Sequence, residues 1–278
     1  MNILEEFLLA LQTEMTTPTP FGWFHWLWIV LGIVAVVTLC LLKKHGKEIP
    51  LNWVLGVFGI VALTTELLKQ VSWSFNFDAA TGITTWDYQW YAAPYQFCST
   101  PIYISLIALF VKPGKFRDSL LSYLAFVTII GGLMTMLIPD SCFCGDILVN
   151  IHTMWLHCGG LVVSLYLLLS KTVRPTKQAW LQCAIVFLVM AAIALALNFG
   201  VYHSGILHGE TFNMFYISPY FISVLPIFDA IQQAVPYPVF LALYFIAILL
   251  ASQIVFWIAK LIPLCIKKCK QRDILHSR

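Results

Sequence analysis

The chain has 278 residues, 60% of them hydrophobic and only 10% charged, with a formal charge of +3 and a mean hydropathy of +0.85. That balance excludes an ordinary soluble domain and offers no basic surface for nucleic acid. The charge is sorted along the chain. Fifteen of the sixteen Lys and Arg residues fall into four clusters: Lys43, Lys44, Lys47; Lys112, Lys115, Arg117; Lys171, Arg174, Lys177; and Lys260 through Arg278. The connections between them carry acids instead: Glu5, Glu6, Glu14, Asp78, Asp87, Asp140, Asp146, Glu210 and Asp229. The positive-inside rule reads this alternation as an odd number of bilayer crossings, with the amino terminus outside and the carboxy terminus in the cytoplasm.

A crossing needs about 20 apolar residues to cover about 30 Å of hydrocarbon. Seven stretches qualify: Phe21–Leu42, Leu51–Trp73, Tyr91–Val111, Ser119–Ile138, Ile147–Ser170, Gln178–Val201 and Pro236–Ile262. The expected fold is therefore all-α, a polytopic seven-helix bundle forming one transmembrane domain over residues 1–278. Residues 1–20 lack the basic start and cleavage site of a signal peptide, so the first span is expected to be retained. The second span runs outward and carries Glu66, Lys69 and Gln70 near its outer end. A charge inside an apolar span marks a functional site by default, although Glu66 and Lys69 are spaced to neutralise each other. Residues 74–90, rich in Trp, Tyr, Phe and Asp, have an interfacial composition.

The third span returns inward with Gln96, Cys98, Ser99 and Thr100 in its outer part. Beyond the fourth lie Cys142 and Cys144, whose one-residue spacing would strain a mutual bridge. With His152 they resemble a metal cluster only loosely, so neither a metal nor another cofactor is expected. The fifth span holds Asn150, His152 and His157 in its outer half. Two histidines five residues apart do not share a helical face. The sixth ends with Asn198, Tyr202 and His203. Residues 218–233 are too short to cross and are expected as an interfacial helix or a lid. After the seventh span, Cys265 and Cys269 flank a basic tail where palmitoylation is possible.

Four spans thus deliver their strongest polar groups to one leaflet, which implies one shared cavity, because polar side chains in hydrocarbon need partners. At 1.5 Å per residue, Cys98 and either histidine fall at similar depths. A thiol beside an imidazole is the activated nucleophile of acyl transfer. Cys98 is the candidate nucleophile and His157 the candidate base, with His152 an alternative. Gln96, Ser99 and Asn198 are candidates to hold an oxyanion, Glu66 and Lys69 to hold a headgroup. A different class stays open: a carrier or receptor whose outward cavity binds a small ligand or protons through Glu66, His152 and His157.

At Pro94-Tyr-Gln-Phe-Cys98 and Asn150-Ile-His-Thr-Met-Trp-Leu-His157 the chain resembles the YwaF family of membrane proteins, related to transmembrane protein 164. His157, followed by Cys158-Gly159-Gly160-Leu161, matches the family histidine, and Asn213-Met-Phe-Tyr216 a later segment. The resemblance implies an acyltransferase or hydrolase using a Cys98/His157 pair on membrane phospholipid or lysophospholipid, in a bacterial cytoplasmic membrane. Asn213 and Tyr202 join the supporting residues on this reading. Gln96 departs from the family, which commonly has histidine there. Oligomeric state is not legible.

Overall fold

The computed structural model describes residues 2–139 and 142–276, with side chains described as far as Leu261. Asp140 and the side chains of Cys265 and Cys269 therefore lie outside what is described. The chain is mostly helical, and among the described residues six helical runs are long and apolar enough to cross a membrane: Trp23–Lys44, Leu51–Ser74, Lys115–Leu137, Ile147–Leu169, Lys177–His203 and Tyr237–Leu261. This is the architecture of an all-α polytopic membrane protein.

In chain order the elements are α1 (Ile3–Leu11), α2 (Trp23–Lys44), α3 (Leu51–Ser74), strands β1 (Phe75–Asp78) and β2 (Ile83–Trp86), and α4 (Thr100–Phe110). Then follow α5 (Lys115–Phe126), α6 (Thr128–Leu137), α7 (Ile147–Met154), α8 (Gly160–Leu169), α9 (Lys177–Ser204), α10 (Phe228–Ala234) and α11 (Tyr237–His276). Helix α5 is the axis of the bundle: Leu120 through Val127 are all buried, against α4, α8, α9 and α11. Helix α2 packs on α8 and is otherwise peripheral.

The third apolar stretch departs from expectation. It is helical only over Phe97–Phe110, about 21 Å at 1.5 Å per residue, short of a full crossing. Pro94 lacks an N–H and biases Ala93 away from helix, and Pro101 restarts the helix in the first turn of α4. Before Phe97 the chain is a 3₁₀ turn, Trp90–Ala92, followed by irregular backbone through Gln96. Such backbone is tolerated at membrane depth only where it is buried in protein or lines a cavity. Here it lines one: Tyr91, Ala92, Ala93 and Gln96 all face the same hollow.

Helices α7 and α8 form one rod interrupted by a π turn, Trp155–Gly159, with His157 at its middle. The turn packs against α6, where a Cβ on Gly132 would fall 2.8 Å from the His157 carbonyl oxygen. Glycine there lets the two backbones meet. Helix α9 is opened by Thr176, whose hydroxyl accepts from Ala179 N, and closed by Gly205 in the left-handed region at φ 73.

One end of the bundle gathers the first three basic clusters. Lys43 Nζ lies 2.7 Å from Glu48, Glu48 accepts from Tyr166, and Arg117 joins the Ala108 carbonyl to Asn52. At the other end α1 and an antiparallel hairpin, Phe75 paired with Trp86 through Asp78 with Ile83, cover the bundle. Neither was legible in the sequence. The adjoining segment binds by main chain, Met15 N to Gly145 O at 2.8 Å. Of residues 218–233, expected as an interfacial helix, only Phe228–Ala234 is helical. Residues 218–227 form an irregular strap instead, ending at Ile227 with φ 75.

Candidate functional site

The end opposite the basic clusters contains a cavity of about 700 Å³. Four parts of the chain wall it: the outer end of α3, the irregular run leading into α4, the π turn, and the strap between α9 and α11. Lys69, Gln96, Cys98, Ser99, His152, His157 and Asn213, all singled out in the sequence, line it. Glu66, Asn198 and Tyr202 do not.

Cys98 sits in the single 3₁₀ turn, Phe97–Ser99, that leads into α4. This turn packs directly on the π turn that carries His157. A second, small hollow behind the main cavity is also walled by Cys98 and His157, together with Tyr123, Thr128 and Gly131. The thiol and the imidazole thus share two adjoining spaces, without a hydrogen bond between them. Both are half-buried. The Nδ1 edge of the imidazole faces Gly131. Thr100, next along, donates to the Phe97 carbonyl and is 2.6 Å from the Tyr123 hydroxyl, which fixes the turn.

His152 occupies a different environment. Its Nε2 lies 2.8 Å from Glu66 Oε2 and its Nδ1 2.9 Å from Thr65 Oγ1, so both ring nitrogens are engaged. Glu66, 1% exposed, also meets Lys69 Nζ at 2.7 Å and accepts from Gln70 at 2.8 Å, both on Oε1. Gln70 in turn donates to the Ala92 carbonyl, tying this cluster to the irregular run before α4. The i, i+3 pairing of Glu66 with Lys69 is present as the spacing suggested. The third partner, from α7, was not readable from either segment alone.

Asn198 is fully buried, and its amide bonds both main-chain groups of Met214: Nδ2 donates to the carbonyl at 3.0 Å and Oδ1 accepts from the N–H at 2.7 Å. Its amide is thereby used up as an anchor for the strap, away from any oxyanion. Tyr202 stacks on Tyr220, ring centroids 3.6 Å apart. Asn213 lines the cavity but spends its amide on Phe221, Ile222 and Ser218. Gln96 donates to the Asn213 carbonyl at 3.1 Å, while its buried Oε1 has no protein partner among the described residues. Sequence reading missed Thr211; it named the Asn213–Tyr216 run and the 218–233 segment, from which Tyr216, Tyr220, Phe221, Ile222 and Val224 line the cavity. Within that run Phe215 and Tyr216 are held at positive φ (59 and 58), a conformation that persists only when the surroundings enforce it.

Among the described residues no group of three His, Cys, Asp or Glu side chains could hold a metal ion. No curated protein and no solved structure gives a significant match to the chain. The model of the TMEM164 family matches residues 20–257, spanning both the Cys98 turn and the His157 turn, and the chain belongs to the TMEM164 family.

Proposed function

We propose that the chain is an intramembrane acyltransferase or hydrolase acting on phospholipid acyl esters, with Cys98 as nucleophile and His157 as general base. The observation that carries this reading is that the two side chains line the same pair of cavities while both nitrogens of the rival base, His152, are already engaged. With its Nδ1 edge turned to Gly131 and its ring on the cavity, a neutral His157 has a nitrogen lone pair for the thiol proton.

In the first half-reaction Cys98 Sγ attacks the acyl carbonyl carbon as His157 takes its proton. The tetrahedral adduct collapses, the glycerol oxygen leaves with that proton, and the acyl chain stays on Cys98 as a thioester. In the second half the hydroxyl of a lysophospholipid, or water, attacks the thioester while His157 removes its proton, which then returns to Cys98. Ser99, which lines the cavity next to Cys98, is the donor for the oxyanion, and Gln96 has one amide N–H left for it after bonding the Asn213 carbonyl. On the positive-inside argument the cavity opens to the leaflet away from the cytosol, with the protein in a cytoplasmic membrane and seven crossings once the short α4 segment is counted.

The test is to incubate purified protein with a phospholipid of defined chain and look for the acyl mass on Cys98 by intact mass spectrometry. Cys98→Ala should give no adduct, and His157→Gln should slow its formation by a factor of about 10² or more. Unchanged acyl transfer in either variant would remove the dyad.

A further inference from the structure

We infer that Lys69 is the anchor for the phosphodiester of a glycerophospholipid held in the main cavity, with Glu66 and His152 as the buried frame that aims it. This rests on the reading of the cavity as a lipid-ester site and adds the feature of the lipid that it selects.

The inference starts from hydrogen-bond capacity. An ammonium carries three donors. Lys69 gives one to Glu66 Oε1 at 2.7 Å, and the Trp73 ring centroid lies 6.0 Å away, a weak aromatic contact. No other protein partner of this side chain occurs among the described residues, yet the side chain is only 12% exposed and faces the cavity. Two cationic donors are therefore presented to the hollow. Leaving them unmet in a membrane-embedded site is costly.

Glu66 does not line the cavity. Its Oε1 is taken by Lys69 and Gln70, and its Oε2 is paired with His152 at 2.8 Å, on the side away from the cavity lining. It works as an internal counter-ion that fixes the ammonium without filling it. His152 is fixed in turn by Thr65 at 2.9 Å and lies 3% exposed. The charge shown to the cavity is therefore positive and local. Cys98 shares that cavity and lies within electrostatic reach of the ammonium. In a glycerophospholipid the phosphodiester and the acyl esters are separated by only the glycerol carbons. A lipid with its phosphate on Lys69 therefore brings an ester to the thiol. Neutral glycerides have no anionic group for Lys69. A fatty-acid carboxylate would meet it but would carry no ester.

The experiment measures binding apart from turnover. Purified Cys98→Ala protein, unable to transfer acyl groups on the reading above, is titrated with phosphatidylcholine, with diacylglycerol and with fatty acid. All three carry the same brominated chains, and tryptophan quenching is the readout. Phosphatidylcholine is expected to bind about tenfold or more tightly than diacylglycerol, the scale of a hydrogen bond to a charged group. Lys69→Gln in that background should bring the two lipids level, and Lys69→Arg should restore the preference. Because Lys69→Gln leaves Glu66 with less compensation, the Glu66→Gln/Lys69→Gln pair is measured alongside as a neutral, folded control, and it too should show no preference. Equal binding of diacylglycerol and phosphatidylcholine would overturn the inference. So would a preference that survives Lys69→Gln, or fatty acid binding more tightly than phosphatidylcholine. If Cys98→Ala protein still transfers acyl groups, the catalytic reading falls while the binding ratios still decide the role of Lys69.

Discussion

Two histidines five residues apart on one rod do unlike work, and the difference lies in what their nitrogens touch. His152 bridges a hydroxyl and a carboxylate, whereas His157 leans on one backbone group and faces open space. Replacing His152 by Ala removes a partner of the buried Glu66 carboxylate and should cost roughly 2 kcal/mol or more, read as a lower unfolding midpoint in detergent. Activity per folded molecule should fall far less than in His157→Gln. Equal losses of activity with no loss of stability would reverse the two assignments. Asn198 makes the same point for amides. A fully buried side chain that bonds both main-chain groups of one residue is an anchor, and Asn198→Leu should cost about 2–3 kcal/mol. That loss should come with faster proteolysis of residues 205–227.

At the level of elements, the site is made where regular structure fails. Pro94 and Pro101 delay the third helix so that Cys98 falls in its opening turn, and the π turn presents His157. Gly132 permits the close approach of α6 to that turn, so Gly132→Ala, with a Cβ 2.8 Å from the His157 carbonyl oxygen, must push the two apart. The expected result is a cost of about 1–3 kcal/mol and a fall in kcat larger than any change in KM, measured on the purified variant. These irregularities mark the limit of what the chain discloses on its own. Six long spans are legible because hydropathy sums over some twenty residues and tolerates local exceptions. The convergence of Cys98, His157 and Lys69 follows from depth alone. The partner of Glu66 and the anchoring duty of Asn198 do not, since each depends on which helices lie side by side. The strap has no period to read, and positive φ at Phe215, Tyr216 and Ile227 is imposed by its surroundings.

Across the whole molecule, polarity is divided between the two ends. Basic turns hold one end and the cavity opens at the other, beside exposed apolar residues, Ile222 at 55% and Val224 at 74%. A rim of that kind meets lipid more readily than water, which suits a ligand arriving sideways from the bilayer. Val224→Asp should raise KM for a long-chain phospholipid in nanodiscs and leave that for a short-chain, water-soluble ester nearly unchanged; a matching rise for both would argue for entry from water. The π turn carries a further consequence. It houses one residue more than an α turn, so a chain lacking Gly159 could close into an unbroken helix. The contacts on either side, His152 with Glu66 before it and Ser164 with the Leu124 carbonyl after it, would keep their register. Only the imidazole in between would swing away from the thiol. A variant of this chain lacking Gly159 should therefore fold as well as the parent and show none of the proposed acyl transfer, a single-residue deletion separating fold from activity.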